Sequence, residues 1–243
     1  MRCLKKKILL IIPAYNEEEN IIKTCKSIDE YNKKNELKLD YVVINDGSKD
    51  STPKILDENS INHIDLIHNL GIGGAVQTGY KYALDNDYDI AIQYDGDGQH
   101  DVSYVEKLIE PIINKNVNMT IGSRFIDKTS SQFKSSAARR IGINLISFVI
   151  KLKTGVKIYD TTSGFRAVDK KIIKIFAGSY PTEYPEPIST VKILNNNFSV
   201  EEIPVGMKER EGGKSSINSW KTVYYMINVI LSILISKKGG RKI

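Results

Sequence analysis

The chain has 243 residues, 41% hydrophobic and 26% charged, which suits a globular protein with length for one large α/β domain or two small ones. Its 35 Lys and Arg against 29 Asp and Glu give a net charge of +6, favouring anionic partners such as phosphate-bearing substrates, acidic lipid or nucleic acid. Two cysteines, Cys3 and Cys25, lie outside any metal-type spacing, which argues against a disulfide scaffold or zinc site and fits a reducing compartment.

The charged start and apolar residues 8–14 imitate a signal peptide. The apolar run is short, however, and Tyr15-Asn16-Glu17-Glu18-Glu19 follows where small residues should precede cleavage, so a first strand is expected. That strand covers 7–12, with an exit loop at 13–16. A helix is expected over 17–31, where Ile21, Ile22, Cys25 and Ile28 recur at helical spacing. Residues 39–44 read as the second strand, ending in Asn45-Asp46-Gly47-Ser48. Thr52 then caps a helix with Pro53 at its first position. A third strand over 64–67 leads through a glycine-rich turn, 69–74, into a helix over 75–84. The fourth strand, 90–94, is followed by a helix from Asp101 toward Pro111 and a fifth strand over 117–121. This alternation predicts right-handed crossovers and a largely parallel sheet.

The second half is less regular. Residues 124–136 read as a polar loop, and 137–152 as an amphipathic helix opened by Arg139-Arg140. A strand is expected within 161–168, a helix over 185–194, alternating apolar residues over 198–207 and a charged loop over 209–216. Residues 220–235 are apolar and carry basic flanks at Lys221, Lys237, Lys238, Arg241 and Lys242. At about 16 residues this stretch is shorter than the ~20 needed to span a bilayer. Its aromatic and basic residues favour monotopic contact with the cytoplasmic leaflet, or an oligomer interface burying the same surface.

The polar segments 13–16, 46–48, 69–74 and 95–99 all follow strands, so a parallel sheet gathers them at its carboxyl edge, where open α/β folds bind ligands. Among them, Asp95-Gly96-Asp97-Gly98 holds two carboxylates separated only by glycine, and such charges repel unless a cation sits between them. Mg²⁺ or Mn²⁺ suits the place, because these ions take oxygen ligands and bridge to phosphates; an ordinary Asp-Gly turn is the plain alternative. Gly71-Ile72-Gly73 begins a dinucleotide fingerprint, but Val76 stands where its third glycine belongs, which argues against an oxidoreductase. Lys214-Ser215-Ser216 echoes a P-loop with the wrong spacing. His63 and His68 read as structural, His100 as either a metal ligand or a helix-entry residue, and Glu201-Glu202 as a solvated strand entrance. No nucleic-acid motif is present and the basic residues are spread along the chain, so no nucleic-acid partner is expected.

The motifs run in order: Ile12-Pro13-Ala14-Tyr15-Asn16-Glu17-Glu18, Asn45-Asp46-Gly47-Ser48, Asn69 through Ala75, Asp95 through His100, Gly122-Ser123-Arg124-Phe125, Thr162-Ser163-Gly164-Phe165-Arg166, Tyr184-Pro185-Glu186, and Pro204 through Ser216. In this the chain resembles family 2 glycosyltransferases of the GT-A fold, in the branch similar to dolichyl-phosphate mannosyltransferases and bacterial cell-envelope enzymes. The resemblance implies an α/β GT-A fold, Rossmann-like, with a mostly parallel central sheet and helices on both faces. It implies a domain over 1–216, with a nucleotide-sugar half (1–100) and an acceptor half (101–216), before a C-terminal helix in 217–243.

It also implies roles. Pro13, Ala14, Tyr15 and Glu17 would line the base and ribose, with Asp46 accepting from the base. Gly71, Gly73 and Gly74 would let the backbone approach the nucleotide. Asp95 would face ribose or metal, Asp97 would be the direct metal ligand and Gln99 a second, with Mg²⁺ or Mn²⁺ neutralising the departing diphosphate. Glu186 is the expected base of an inverting transfer and Glu183 the runner-up. Arg124, Arg139, Arg140 and Arg210 would hold an acceptor phosphate. The implied donor is a nucleotide-diphosphate sugar, UDP-linked first and GDP- or dTDP-linked as alternatives. The acceptor would be a lipid-linked glycan or polyprenyl phosphate, at the cytoplasmic face of the membrane. Polyprenyl-phosphate enzymes often carry longer hydrophobic C-terminal segments, and this chain departs from them there. A non-catalytic nucleotide-binding or membrane-scaffolding protein is the alternative reading.

Overall fold

The structure, a computed structural model, describes residues 6–126, 137–206 and 219–236, and for residues 137–139 and 219–224 the backbone alone. Most of the loop expected over 124–136 and all of that over 209–216 therefore lie outside the described residues. A seven-stranded sheet forms the centre, in the order β3-β2-β1-β4-β6-β5-β7. Its strands are β1 (Ile8–Ala14), β2 (Asp40–Asn45), β3 (His63–Asp65), β4 (Ile90–Gln93), β5 (Met119–Ser123), β6 (Arg166–Asp169) and β7 (Val200–Pro204). All neighbours pair in parallel except β6, which runs antiparallel to both β4 and β5.

β1 is buried along its whole length, as a central strand covered on both faces must be. Strand alternation sends Leu9 and Ile11 into one core and Ile8, Leu10 and Ile12 into the other. The first core is closed by α3 (Gly71–Asp85), α6 (Lys170–Gly178) and α7 (Pro185–Asn195), the second by α1 (Ile21–Lys34) and α4 (Val105–Asn114). Strand order reverses at β1, with β2 and β3 to one side and β4 to the other. The carboxyl ends of β1 and β4 thus flank a topological switch point, the place where such sheets bind ligands.

Several elements differ from expectation. The glycine-rich segment is not a turn before α3 but its beginning, since the helix starts at Gly71. β3 is shorter, leaving Ile67 exposed. Thr52 is the first residue of α2 (Thr52–Glu58) rather than its cap, because its hydroxyl accepts the Glu17 N–H. Asp101 caps only a single 3₁₀ turn at Val102–Tyr104, after which α4 runs through Pro111 to Asn114. α6 was not anticipated. Asp169 opens it by accepting the Ile172 N–H at 2.9 Å, and it buries Ile172, Ile173, Phe176 and Ala177. α5 (Ala137–Thr154) and α8 (Ser219–Ile235) pack together, and α8 sends Val229 and Ile233 into the first core. The C-terminal helix is therefore packed into the fold.

Candidate active site

The loops leaving β1 and β2 are laced by five hydrogen bonds. Asn16 N–H donates to Ser48 Oγ and Lys49 N–H to Asn16 Oδ1 (3.0 and 2.8 Å), while Glu17 N–H donates to Thr52 Oγ1 at 3.0 Å. Glu18 N–H reaches Asp50 Oδ2, and Ser51 N–H returns to Glu18 Oε2. Asn16 can adopt its left-handed φ of 56° because Asn tolerates that region better than most residues. Pro13 and Ala14 are buried beneath this lattice, Tyr15 is exposed above it, and Glu17 accepts from Asn20 at 2.9 Å. Asp46 is buried and accepts the Leu70 N–H at 2.7 Å, tying the third loop to the second. Burial raises its carboxyl above the ordinary value, opposed by the Leu70 and Gly71 N–H groups.

The glycines of that third loop serve different ends. At Gly73 a Cβ would stand 2.2 Å from the Pro181 carbonyl oxygen, so the bare backbone admits the loop before α7. At Gly74 it would meet Leu70. Gly71 faces open space with φ +75°.

β4 stops at Gln93, so Asp95 and Asp97 lie in its exit loop and not on one face of a strand. Asp95 Oδ2 lies 3.0 Å from His100 Nε2, and that imidazole stacks on Phe165 with centroids 4.8 Å apart. His100 is thus engaged with Asp95 and buried, which favours its structural reading over ligation. A Cβ at Gly164 would fall 2.7 Å from the Asp95 carboxylate, so glycine is required there for close approach. Burial by itself would push the Asp95 carboxyl up. His100, with Gln93 and Arg124 adding to it, brings it below the ordinary value and keeps it ionised. Asp97 accepts the Gln99 N–H at 3.1 Å and lines a small pocket with Asn20, Lys23, Thr24 and Tyr94.

Glu186 stands in the first turn of α7, where the positive end of the helix dipole favours an anion. Burial raises its carboxyl above the ordinary value and outweighs the nearby Arg166 charge. Glu183 lies exposed in the preceding loop. Arg166 is buried and holds the start of α7 directly, Nη1 donating to the Glu186 carbonyl at 2.6 Å and to Thr190 Oγ1 at 2.9 Å. Sequence reasoning quoted Arg166 within a motif but gave it no role.

Two of the predicted phosphate-binding arginines, Arg124 and Arg140, have described side chains, and both guanidinium groups lie over the Phe125 ring. Arg124 is buried in a two-point ion pair with Asp160 (2.7 Å each) and a bond to Thr162 Oγ1, so its guanidinium serves the fold. Arg140 lies over the Phe125 ring at 3.7 Å, with Nη1 buried and unbonded. The side chain of Arg139, and Arg210 altogether, lie outside the described residues. Glu202 corrects the solvated reading. Its carboxylate accepts the Tyr159 and Asp160 N–H groups at 2.7 and 2.8 Å, and burial raises its carboxyl; Glu201 pairs instead with Lys115 at 3.5 Å.

The family model described as "Glycosyl transferase family 2" matches residues 9–176. The chain belongs to that family. It is 33% identical over 220 residues to the UDP-N-acetylglucosamine–dolichyl-phosphate N-acetylglucosaminyltransferase of Methanococcus voltae, covering 82% of this chain and 85% of that one. It is 27% identical over 223 residues to the polyprenol monophosphomannose synthase of Mycolicibacterium smegmatis, covering 88% and 82%. Among solved structures, glucosyl-3-phosphoglycerate synthase from Mycobacterium tuberculosis, in complex with Mn²⁺, UDP-glucose and phosphoglyceric acid, superposes with a TM-score of 0.66. That match covers 96% of this chain and 82% of that one, at 15% identity, and shows the shared GT-A fold.

The donor set of this family 2 enzyme fits a hard divalent cation. Among the described residues no three His, Cys, Asp or Glu side chains gather as a metal cage. Mg²⁺ and Mn²⁺ bound with substrate phosphates need no cage, since one or two carboxylates suffice. Asp97 and the ionised Asp95 supply that number.

Proposed function

We propose that the protein transfers a sugar, with inversion, from a nucleotide-diphosphate sugar to a polyprenyl phosphate at the cytoplasmic face of a membrane, as a step in cell-envelope polysaccharide or glycolipid synthesis. Two relatives named for dolichyl or polyprenol phosphate chemistry support the acceptor, and the first, named for UDP-N-acetylglucosamine, supports a UDP-linked donor. The observation that carries the reading is the placement of three carboxylates: Asp95 and Asp97 after β4, and Glu186 at the start of α7, all bordering the same sheet edge. In this reading Asp97 and Asp95 hold Mg²⁺ or Mn²⁺, which neutralises the diphosphate as it leaves.

A phosphate monoester has its second pKa at about 6, so an acceptor arrives partly as the monoanion. Burial has raised the proton affinity of Glu186, which suits it to take that last proton as the phosphate oxygen attacks. The acceptor lipid would be met by the face that α5 and α8 leave uncovered. Ile141, Leu145, Phe148 and Leu152 on α5, with Ile227, Leu231, Leu234 and Ile235 on α8, form exposed helical stripes. Lys153 Nζ donates to the Leu234 carbonyl and joins the helices at one end. No helix among the described residues is long and apolar enough to cross a membrane, so contact would be monotopic.

The test is thermal melting with UDP, GDP, dTDP or CDP, each with and without Mn²⁺ or Mg²⁺, followed by sugar transfer to polyprenyl phosphate. A ligand of the folded state must raise Tm. UDP with metal is expected to do so, and Asp97→Ala to abolish the shift and slow transfer at least about 100-fold, beyond the loss for an outer-shell partner. Folded protein that no nucleotide stabilises would overturn the reading in favour of a scaffold.

A further inference from the structure

Asp65 ends β3, the edge strand of the sheet, and lies outside every motif of the sequence. Parallel pairing of β2 with β3 sets it beside Asn45, the last residue of β2. Asn45 is buried, at 3% exposure, so both ends of its carboxamide need partners within the protein. Nδ2 donates to Asp65 Oδ1 at 2.6 Å, and Oδ1 accepts the Ser48 N–H at 3.1 Å. The second of these bonds closes the turn Asn45-Asp46-Gly47-Ser48, which carries Asp46. Space around that turn is tight, since a Cβ at Gly47 would stand 2.9 Å from the Asn69 backbone nitrogen. Ser48 Oγ accepts the Asn16 N–H at 3.0 Å, and Asn16 Oδ1 accepts the Lys49 N–H at 2.8 Å. Hydrogen bonds therefore run without a break from Asp65 at the edge strand to the loops leaving β1 and β2.

The direction of this series is fixed from both ends. A backbone N–H only donates, so the Ser48 N–H turns the oxygen of the Asn45 amide toward itself and the NH₂ toward β3. The NH₂ also only donates, so its partner has to accept, and a carboxylate offers nothing else. Asn in place of Asp65 would present a donor and an acceptor of almost the same shape, and an amide facing an amide can reverse. With the Asn45 amide reversed, its NH₂ would oppose the Ser48 N–H in a buried place, leaving two donors unsatisfied. The other Asp65 oxygen lies 3.5 Å from His63 Nε2, and that imidazole is itself held by the Ile61 carbonyl, 2.7 Å from Nδ1.

We propose that Asp65 is a positioning residue of the nucleotide site. Through Asn45 it holds the turn that presents Asp46, and through Ser48 the loop at Asn16, in the arrangement that receives the donor's nucleotide. It acts through these side chains and not by its own contact with the donor. The proposal rests on the glycosyltransferase reading for the identity of the ligand.

The test exchanges the two side chains. Asp65→Asn, Asn45→Asp and the double variant are compared with wild type for UDP affinity by calorimetry with Mn²⁺ present, and for steady-state transfer, with melting to show that each folds. Asp65→Asn removes the fixed direction, and Asn45→Asp sets two carboxylates against each other. Each should weaken UDP and raise the donor KM about tenfold or more, the scale of one hydrogen bond to a charged group. Because the loss falls on binding, kcat should stay within about threefold. In the double variant the carboxylate at position 45 accepts both the Ser48 N–H and the amide now at position 65. UDP affinity should then return to within about threefold of wild type, since the two sites act as a unit. The double variant set against Asp65→Asn alone decides even where Asn45→Asp does not fold. A role in stability alone would lower Tm and the active fraction, and so kcat, at unchanged KM. That outcome, or single losses that add in the double variant, would overturn the proposal. Folded Asp65→Asn that binds UDP as wild type does would overturn it while leaving the glycosyltransferase reading in place. Wild-type protein that bound no nucleotide would bring down both.

Discussion

The two halves of this molecule build their share of the sheet edge with different materials. On the β1–β2 side, loops are tied by uncharged backbone N–H groups meeting short polar side chains, as at Asn16, Ser48 and Thr52, close to solvent. On the β5–β6 side the connections are made by charged side chains held within the fold: Arg124 with Asp160, Glu202 under the loop that presents Asp160, and Arg166 under the Glu186 backbone. The first arrangement leaves many oriented groups at an open edge, which suits a polar nucleotide. The second fixes a few charges in a region flanked by the exposed apolar helices α5 and α8, where water supplies less support. Substitutions should therefore behave differently in the two halves.

The largest difference is expected from paired substitutions. Asp160→Ala leaves the Arg124 guanidinium buried without its carboxylate and should cost about 3–5 kcal/mol in urea unfolding. Ser48→Ala removes an exposed acceptor whose partner N–H can turn to water, and should cost only about 0.5–1.5 kcal/mol. Equal losses would mean that the two halves are held in the same way.

A smaller effect is expected at the apolar face. Replacing Ile141, Phe148, Leu231 and Leu234 by Ser should weaken binding to anionic phospholipid vesicles at least tenfold in flotation, because each buries apolar area that Ser cannot. Transfer to a short water-soluble acceptor should be unchanged. If the variant instead loses a dimer seen by light scattering while vesicle binding persists, the face joins copies of the chain and the membrane reading fails.

How much of this was legible depends on whether the cause was local. Apolar runs ended by glycine and acidic residues placed β1, β2, β4 and their loops close to where they lie, and strand alternation with helices put those loops on one edge. α6 was legible but missed: Asp169 ahead of Ile172, Ile173 and Phe176 is a capped, helically spaced pattern. The direction of β6 was not, because nothing in Arg166-Ala167-Val168 says which way the chain returns. Glu202 was misjudged for a related reason. A charged residue in sequence looks solvated, and only the folded chain shows the Tyr159 and Asp160 N–H groups waiting for it.

The smallest effect lies at Glu186 and has a definite sign. Its carboxyl is raised above the ordinary value of 4.5 by burial, so the folded protein holds that proton more tightly than the unfolded chain does. The contribution to stability is then fully present below the unfolded value and is lost as pH rises through the folded one. At pH 8 the wild type keeps a half-buried anion that Glu186→Gln does not. The variant should melt higher than wild type at pH 8, and the gap should close toward pH 4, where both side chains are neutral. Such a gain, alongside lost transfer, would mark Glu186 as a charge kept for chemistry at the expense of the fold. A gap of the opposite sign, or one that does not change with pH, would mean that Arg166 compensates the charge fully, and that this half is no more strained than the other.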